Sequence, residues 1–440
     1  MSELLSDEQI FRDHRVNQSG AFLKVLLLSP HYPPDVAATG QLVAELAHDL
    51  VAAGHQAVVV AARPSYAGSP AEPTSAWALA TEQRNGVEIR WLPVPRWGRR
   101  TVWGRLLPFA GYAALAAPVA ALMKDVDVVY ALSTPPFLSA LVATALARVR
   151  RIPFVYNLQD VYPEIAIALD VVQPGLVSLV AAKLERWLRL RADAITVIGE
   201  DMRAVVLRAT PDVRELRVIP NWVDTELVTP VPTAQNAFRK QHVLQDKFVV
   251  LYSGNLGMVH GAELLPAVAQ ALHDLPNVRL VIVGEGPAKP SILAEVQRLG
   301  LKNVVLLPYQ PKEQLAQSLS AADVSLVFQR PETLGLVVPS KLYGILASGR
   351  AVVAAVPEGS EAARVVREAN AGRVVAPLDA PAVAQAVREL YVHKATRTAM
   401  GRRGRAAACE HFDRRQVTAQ YRSLFEELVG RAARRRMTNR

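Results

Sequence analysis

The sequence predicts an α/β protein of two Rossmann-like domains facing each other across a cleft. Three observations carry that expectation. Short β-branched runs alternate with helical stretches from Lys24 onward, the pattern of parallel sheets covered on both faces. The alternation pauses at "TELVTPVPTAQN", a Pro- and Thr-containing stretch that reads as a linker, and then restarts. The chain has 440 residues, and single cores rarely grow past about 250–300 residues.

In the first half the expected strands are Val25–Ser29, Ala57–Ala61, Val87–Leu92, Val126–Tyr130, Phe154–Asn157 and Ala194–Ile198. Between them Gln41–Ala53, Phe137–Arg150, Leu176–Arg191 and Glu200–Arg208 read as helices. The second half repeats the scheme with strands Val249–Ser253, Leu280–Val283, Val304–Leu307, Val324–Phe328, Ala351–Val356 and Arg373–Val375. Arg414–Leu428 reads as an amphipathic helix that folds back on the first domain. The expected division is therefore a first domain over 21–225, a linker over 226–245, a second domain over 246–412 and a crossover helix with a basic tail over 413–440.

Composition narrows the function. The chain is 51% hydrophobic and 20% charged, with a formal net charge of +10, which favours anionic partners. The excess gathers in Arg96–Arg105 and from Arg431 onward. The basic residues do not line an evident reading helix, so nucleic acid is not the expected partner. Cys409 is the sole cysteine; it excludes an internal disulfide and fits a reducing, cytoplasmic compartment. The histidines are scattered, without metal-ligand spacing. The apolar run Val25–Leu28 is strand-length rather than a signal peptide, and the residues before Ala21 read as a disordered extension. "LLPFAGYAALAAPVAALM", Leu106–Met123, reaches the lower end of spanning length, yet Pro108, Gly111 and Pro118 favour a buried or interfacial helix. Just before it, Trp97 and Trp103 stand among arginines, a mixture suited to an anionic membrane surface. Peripheral attachment is expected.

Ligands of open parallel sheets bind beyond the carboxyl ends of the strands, which selects the loops after Ser29, Asn157, Ser253, Val283, Leu307 and Phe328. By the same rule the Asp125–Asp127 pair, at the amino end of its strand, reads as a solvated lead-in rather than a metal site. The first loop, "SPHYPPDVAATGQL", lacks the G-x-G-x-x-G of a dinucleotide fold, which argues against a nicotinamide or flavin enzyme. Its end at Thr39 and Gly40 is either a plain helix cap or a place of close ligand approach. Asp160 and Glu164 follow a later strand; either can orient hydroxyls or act as a base, and helix-start acids are the plainer alternative, which suits Glu164 better. Gly254, Gly257 and Gly261, and then Gly284 and Gly286, lie in loops permissive of a phosphate. Arg330 and Lys341 bracket a loop leading into a helix capped by Ser340, the best diphosphate site in the chain.

In this order and spacing, "HYPPDVAATGQLVAELAHDLVAAGHQAVVV", "STPPFLSALVATALA", "DVYPE", "VIPNWVD", "YSGNLG", "VIVGEGP", "ADVSLV" and "PSKLYGILASGRAVV" resemble the retaining glycosyltransferases of the GT-B fold, family 4. The branch most resembled assembles bacterial capsule, colanic acid and O-antigen polysaccharides. The resemblance implies a nucleotide-sugar donor held mainly by the second domain and a lipid-linked or polysaccharide acceptor held mainly by the first. It implies hexosyl or N-acetylhexosaminyl transfer, with no cofactor and no catalytic metal, by a protein peripheral to the inner face of the cell membrane. Gly40 would contact the donor from the first domain, the Gly284–Gly286 loop with Tyr309 and Gln310 would flank the base, and Ser340 and Lys341 would meet the diphosphate. Family members commonly carry an Arg and a Lys where this chain has Asn255 and His260, and two glutamates near the donor. Glu332 matches the first; the second falls on Ser340 or Gly344, neither of them acidic. A nucleotide-sugar 2-epimerase, or a nucleotide-sugar-binding partner without catalysis, shares much of this description.

Overall fold

The run KVLLL is apolar at four successive positions because β1 (Lys24–Leu28) lies inside an eight-stranded sheet and is covered on both faces. The computed structural model describes residues 22–35, 37–64, 78–94 and 102–438. The first sheet holds β1, β2 (Gln56–Ala62), β3 (Ala80–Arg84), β4 (Val87–Leu92), β5 (Val128–Leu132), β6 (Phe154–Leu158), β7 (Ala194–Val197) and β8 (Leu216–Val218) in the order β3-β4-β2-β1-β5-β6-β7-β8. Only β3 runs antiparallel to its neighbour. Helices α1 (Ala38–Ala52), α2 (Val102–Leu122), α3 (Leu138–Arg150), α4 (Glu164–Ala168), α5 (Leu176–Arg191) and α6 (Glu200–Ala209) belong to this half.

The second sheet is all-parallel: β9 (Phe248–Ser253), β10 (Val278–Val283), β11 (Val304–Leu307), β12 (Val324–Phe328), β13 (Ala351–Ala355) and β14 (Gly372–Val375), ordered β11-β10-β9-β12-β13-β14. Its helices run from α7 (Ala237–Gln241) through α8 (Leu265–Ala271), α9 (Lys289–Arg298), α10 (Leu315–Ser320), α11 (Lys341–Ala347), α12 (Glu361–Glu368) and α13 (Ala380–Val392) to α14 (Lys394–His411). Strand order reverses between β1 and β5 in one sheet and between β9 and β12 in the other. Those reversals are where an open sheet leaves a crevice.

Several elements differ from the sequence expectation, each for a local reason. β3 is missed because an edge strand, here ATEQR, stays half wet and polar, and β8 is only three residues long. β5 starts at Val128 because the Asp127 carboxylate accepts the Lys24 amide at 2.8 Å, tying the lead-in to β1. The stretch 226–245 is not a free linker: Val228, Phe238 and Leu244 are buried in the second domain's core. Asn236 caps α7 there, accepting from Arg239 N, while the Arg239 guanidinium bonds Asp323.

Leu106–Met123 resolves as a packed helix. Tyr112, Ala116 and Ala120 of α2 are buried in the first-domain core, and the Tyr112 hydroxyl donates to Val60 O at 2.9 Å. Among the described residues no helix is long and apolar enough to cross a membrane. Residues 96–101 of the Arg- and Trp-rich segment, and the side chains of 102–106, lie outside the description.

Helix α15 (Arg414–Thr438) returns to the first domain as expected. Val417, Tyr421, Leu424, Phe425 and Leu428 join its core beside β1, β5 and α1. Burial of each is worth roughly 1.5–3 kcal/mol. Two polar anchors set the register: Arg414 and Thr418 hold Asp49 at 2.6 and 2.8 Å, and Asn157 donates to the Tyr421 hydroxyl at 2.8 Å. Truncation of the fully buried Phe425 to Ala is expected to cost about 3–5 kcal/mol, read as a lower urea midpoint for the first domain's transition.

Candidate active site

The β9–β12 reversal is lined by two glycine loops pressed together. Gly254 N donates to Val283 O at 2.9 Å, Leu256 N to Glu285 O at 2.9 Å, and Ala288 N to Leu256 O at 3.0 Å. A Cβ on Gly284, whose φ is +156, would lie 2.0 Å from Gly254 O. Glycine at 284 is therefore dictated by the neighbouring backbone. Asn255 is exposed at the tip of the first loop, Gly257 sits beside its side chain, and Gly286 packs against Leu256. Tyr309 donates its hydroxyl to Glu285 O at 3.4 Å and Gln310 its amide to Pro308 O at 2.9 Å, so both stand at the rim of the Gly284–Gly286 turn.

Lys341, the first residue of α11, reaches into this wall. Its Nζ is buried without a hydrogen-bond partner and sits 3.7 Å above the centre of the Tyr252 ring. A Cβ on Gly254 would meet the lysine's Cε at 3.1 Å. The ring face offers only a weak counter-charge. Burial therefore pulls the ammonium's pKa down to about 7. A half-charged amine with three unused donors thus stands against an open glycine backbone.

Its neighbours do not supply the missing negative charge. His260 is held neutral: burial first, and then the Lys341 charge, lower its pKa to about 3, and its Nδ1 has no partner. Arg330 is less available than its sequence position implies, because Glu263 takes its Nη2 while its Nε stays buried and unpartnered. Ser340 makes no side-chain cap, contrary to expectation; its helical backbone (φ −60, ψ −22) keeps Oγ from the next amides. Glu332 is exposed in the turn Pro331–Thr333.

The facing wall belongs to the first domain. Ser133 Oγ, after β5, accepts the amides of Gln159 and Asp160 at 3.1 and 3.2 Å. Gln159 is fixed in turn by Asn157 at 2.7 Å and by Asn221. This buried polar web holds Asp160 at the domain boundary, where desolvation raises its carboxyl to about 6. Glu164 turns away to Arg189, 3.8 Å distant. In the loop after β1, His31 and Asp35 form a buried 2.7 Å pair. Gly40 lies under that loop, where a Cβ would come within 3.0 Å of the His31 carbonyl carbon. Thr39 is inside α1 rather than capping it, since the helix starts at Ala38.

What joins the walls is the loop between Arg330 and Lys341. Gln329, buried after β12, donates to Thr333 O and Val337 O at 3.1 Å and folds this loop back. Leu336, Val337 and Val338 enter the first-domain core, Leu336 O accepts the Val161 amide at 2.9 Å, and Val337 bridges to Asp160. Next to it two helix starts meet across the boundary. The Asp201 carboxylate accepts Glu361 N at 3.0 Å, and the Glu361 carboxylate accepts Glu200 N at 3.2 Å. Gln329, Asp201, Glu361, Glu263 and the His31–Asp35 pair were not singled out in the sequence. HYPPD was visible as a loop; the others gave no local signal.

Residues 38–222 match the glycosyl transferase 4-like domain, and residues 234–407 match the glycosyl transferases group 1. The two matched regions together mark the chain as a glycosyltransferase. This glycosyltransferase is 29% identical, over 76% of its own length and 83% of the relative's, to the Escherichia coli (strain K12) glycosyl transferase WcaI, named for colanic acid biosynthesis. Two solved structures share the fold. Sucrose-phosphate synthase of Thermosynechococcus elongatus superposes with a TM-score of 0.74 at 22% identity, covering 93% of this chain and 99% of that one. Anabaena HepE, solved in complex with UDP and glucose, gives 0.70 at 18% identity over 92% of this chain and 100% of that one. The fold is GT-B.

The Lys341 geometry has a thermodynamic consequence. The lysine titrates near 7 when folded and near 10.5 when unfolded. Between those values the unfolded chain holds the extra proton, so the burden of the buried amine is full below pH 7 and fades as pH rises toward 10. Lys341→Met is therefore expected to be more stable than wild type at pH 7, with the gap narrowing at about pH 9.5 in urea melts. Pyrophosphate should raise the melting temperature of wild type and leave that of Lys341→Met unmoved.

Proposed function

We propose that this glycosyltransferase transfers a hexosyl or N-acetylhexosaminyl group from a nucleotide-sugar donor, with retention and without a metal, to a lipid-linked or polysaccharide acceptor. The pathway is cell-surface polysaccharide synthesis, and the protein works in the cytoplasm on the inner face of the membrane. One observation carries the reading: the partnerless Lys341 ammonium against the Gly254 backbone at the second-domain strand reversal. The naming of WcaI for colanic acid biosynthesis and the UDP and glucose in HepE support the acceptor and donor classes.

In this reading the donor diphosphate lies along Gly254–Gly257 with its charge on Lys341, and the base lies toward Gly284, Gly286, Tyr309 and Gln310. As the sugar–oxygen bond breaks, charge grows on the leaving diphosphate. A fixed, desolvated cation stabilises that charge more than it stabilises the bound donor. Phosphate contact also restores the lysine to its fully charged state. Arg330 contributes from the next loop once it exchanges Glu263 for phosphate, and Glu332 at the rim meets donor-sugar hydroxyls. The acceptor approaches from the first domain on the same face as the leaving group. Asp160 orients its hydroxyl, and the departing phosphate oxygen takes the proton. Gly40 closes the donor's far side through the His31 loop.

Incubation with a panel of nucleotide sugars and lipid-linked acceptors, with mass detection, is expected to yield one glycosylated product. Lys341→Ala should lower donor-saturated turnover by about 10²–10³-fold while the fold is kept. Near-wild-type turnover in that variant would sink the assignment.

A further inference from the structure

Helix α5 carries a feature the transfer reaction does not use. Its inner face, Ser178, Glu185, Leu188 and Arg189, is buried. Its outer face is apolar where it should be polar: Leu176 is 78% exposed, Val177 75%, Leu179 61% and Val180 57%. Soluble monomers seldom leave such a contiguous apolar patch uncovered. Along one stripe at helical spacing, Leu176, Val180, Lys183, Trp187 and Arg191 follow each other, all exposed. The stripe thus passes from aliphatic to aromatic to basic. The Arg191 guanidinium lies 5.4 Å from the centre of the Trp187 ring.

At its carboxyl end the stripe runs into a groove of about 800 Å³ between α3, α5 and α15, floored by the amino end of β6. Seven arginines and only two acids line it. Both acids are taken: Asp193 pairs with Arg214 at 2.6 Å and Glu215 with Arg431 at 2.7 Å. Among the described residues Arg148, Arg151, Arg191 and Arg435 have no carboxylate partner. Thr144, only 3% exposed, also lines the groove, and its hydroxyl has no hydrogen-bond partner. Uncompensated arginines beside an unused hydroxyl describe a receptor for phosphate oxygens. An apolar stripe continuous with it describes a helix lying in the plane of an interface.

We propose that the outer face of α5 and the arginine groove at its end form the surface on which this protein lies on an anionic lipid bilayer. The aliphatic residues seat at the acyl boundary, Trp187 sits at headgroup level, and the groove holds lipid phosphates. This rests on the membrane-peripheral reading above, but places the contact on α5 rather than on residues 96–105.

Co-sedimentation of the full chain with phosphatidylcholine vesicles, and with vesicles containing about 30% phosphatidylglycerol, tests it. Wild type is expected to partition at least tenfold more onto the anionic vesicles. Val180→Asp with Trp187→Ala, and separately Arg148→Glu with Arg151→Glu and Arg435→Glu, should each abolish that preference at an unchanged melting temperature. A vesicle-induced blue shift of tryptophan emission should vanish in Trp187→Phe, a variant too mild to unfold the domain. Wild-type binding by both of those combined variants, or a blue shift that survives Trp187→Phe, overturns the α5 surface and leaves the membrane reading standing. Absence of wild-type binding to either vesicle overturns both. Equal binding to the two vesicles refutes the phosphate role of the groove, and a charge-reversed groove that loses RNA retention but keeps vesicle binding assigns it to nucleic acid instead.

Discussion

The two halves of this glycosyltransferase depend on one hydrophobic insertion. Leu336, Val337 and Val338 belong by sequence to the second domain, yet they are buried among Val161, Ile165, Ile198 and Met202 of the first. The insertion is stitched on each side by main-chain contact to Asp160 and Val161. Because the segment lies three residues before Lys341, its docking sets where the lysine emerges. Because it also pairs with Asp160, it fixes the first-domain carboxylate with the same stroke. Gln329 makes this possible by holding the loop folded through two carbonyls. A site built from both domains is thus positioned by one short segment shared between them.

The electrostatics of the cleft follow from what that packing excludes. Lys341 is drawn to about 7 and Asp160 raised to about 6, both chiefly by desolvation. The Lys341 ammonium has no hydrogen-bond partner, so the two are not an ion pair that would neutralise the cleft. His260, beside it, is kept neutral by its own burial and by the lysine. The wall therefore presents one poised cation rather than a cluster. Adding a second fixed charge beside it would depress both amines further, which gives a physical reason for a neutral residue at that position.

Much of the fold was legible because parallel strands buried on both faces are written as unbroken apolar runs, as in "KVLLL" and "VSLVF". β3 is not legible because an edge strand needs only half its residues apolar, and 226–245 reads as a linker because its Pro and Thr mask Phe238 and Leu244. At the site, glycines after strands and a lysine at a helix start could be picked out locally. Their reasons could not: Gly284 is imposed by the carbonyl of Gly254, and Lys341 rests on the ring of Tyr252, contacts between residues far apart in the chain. The capping role given to Ser340 failed on a backbone angle, and the freedom given to Arg330 failed on Glu263. The Asp201–Glu361 exchange had no signature at all, since each carboxylate looked like an ordinary acid in a first helical turn.

Helix α15 carries a further meaning when the order of synthesis is considered. Val417, Tyr421, Leu424, Phe425 and Leu428 complete one face of the first domain, yet they leave the ribosome after the whole second domain. Until then β1 and β5 have an uncovered apolar flank, and Asn157 lacks the tyrosine oxygen it donates to. The domain translated first is therefore the domain finished last. Nascent chains of this topology expose hydrophobic surface through most of translation, which makes them natural clients of chaperones that act at the ribosome exit.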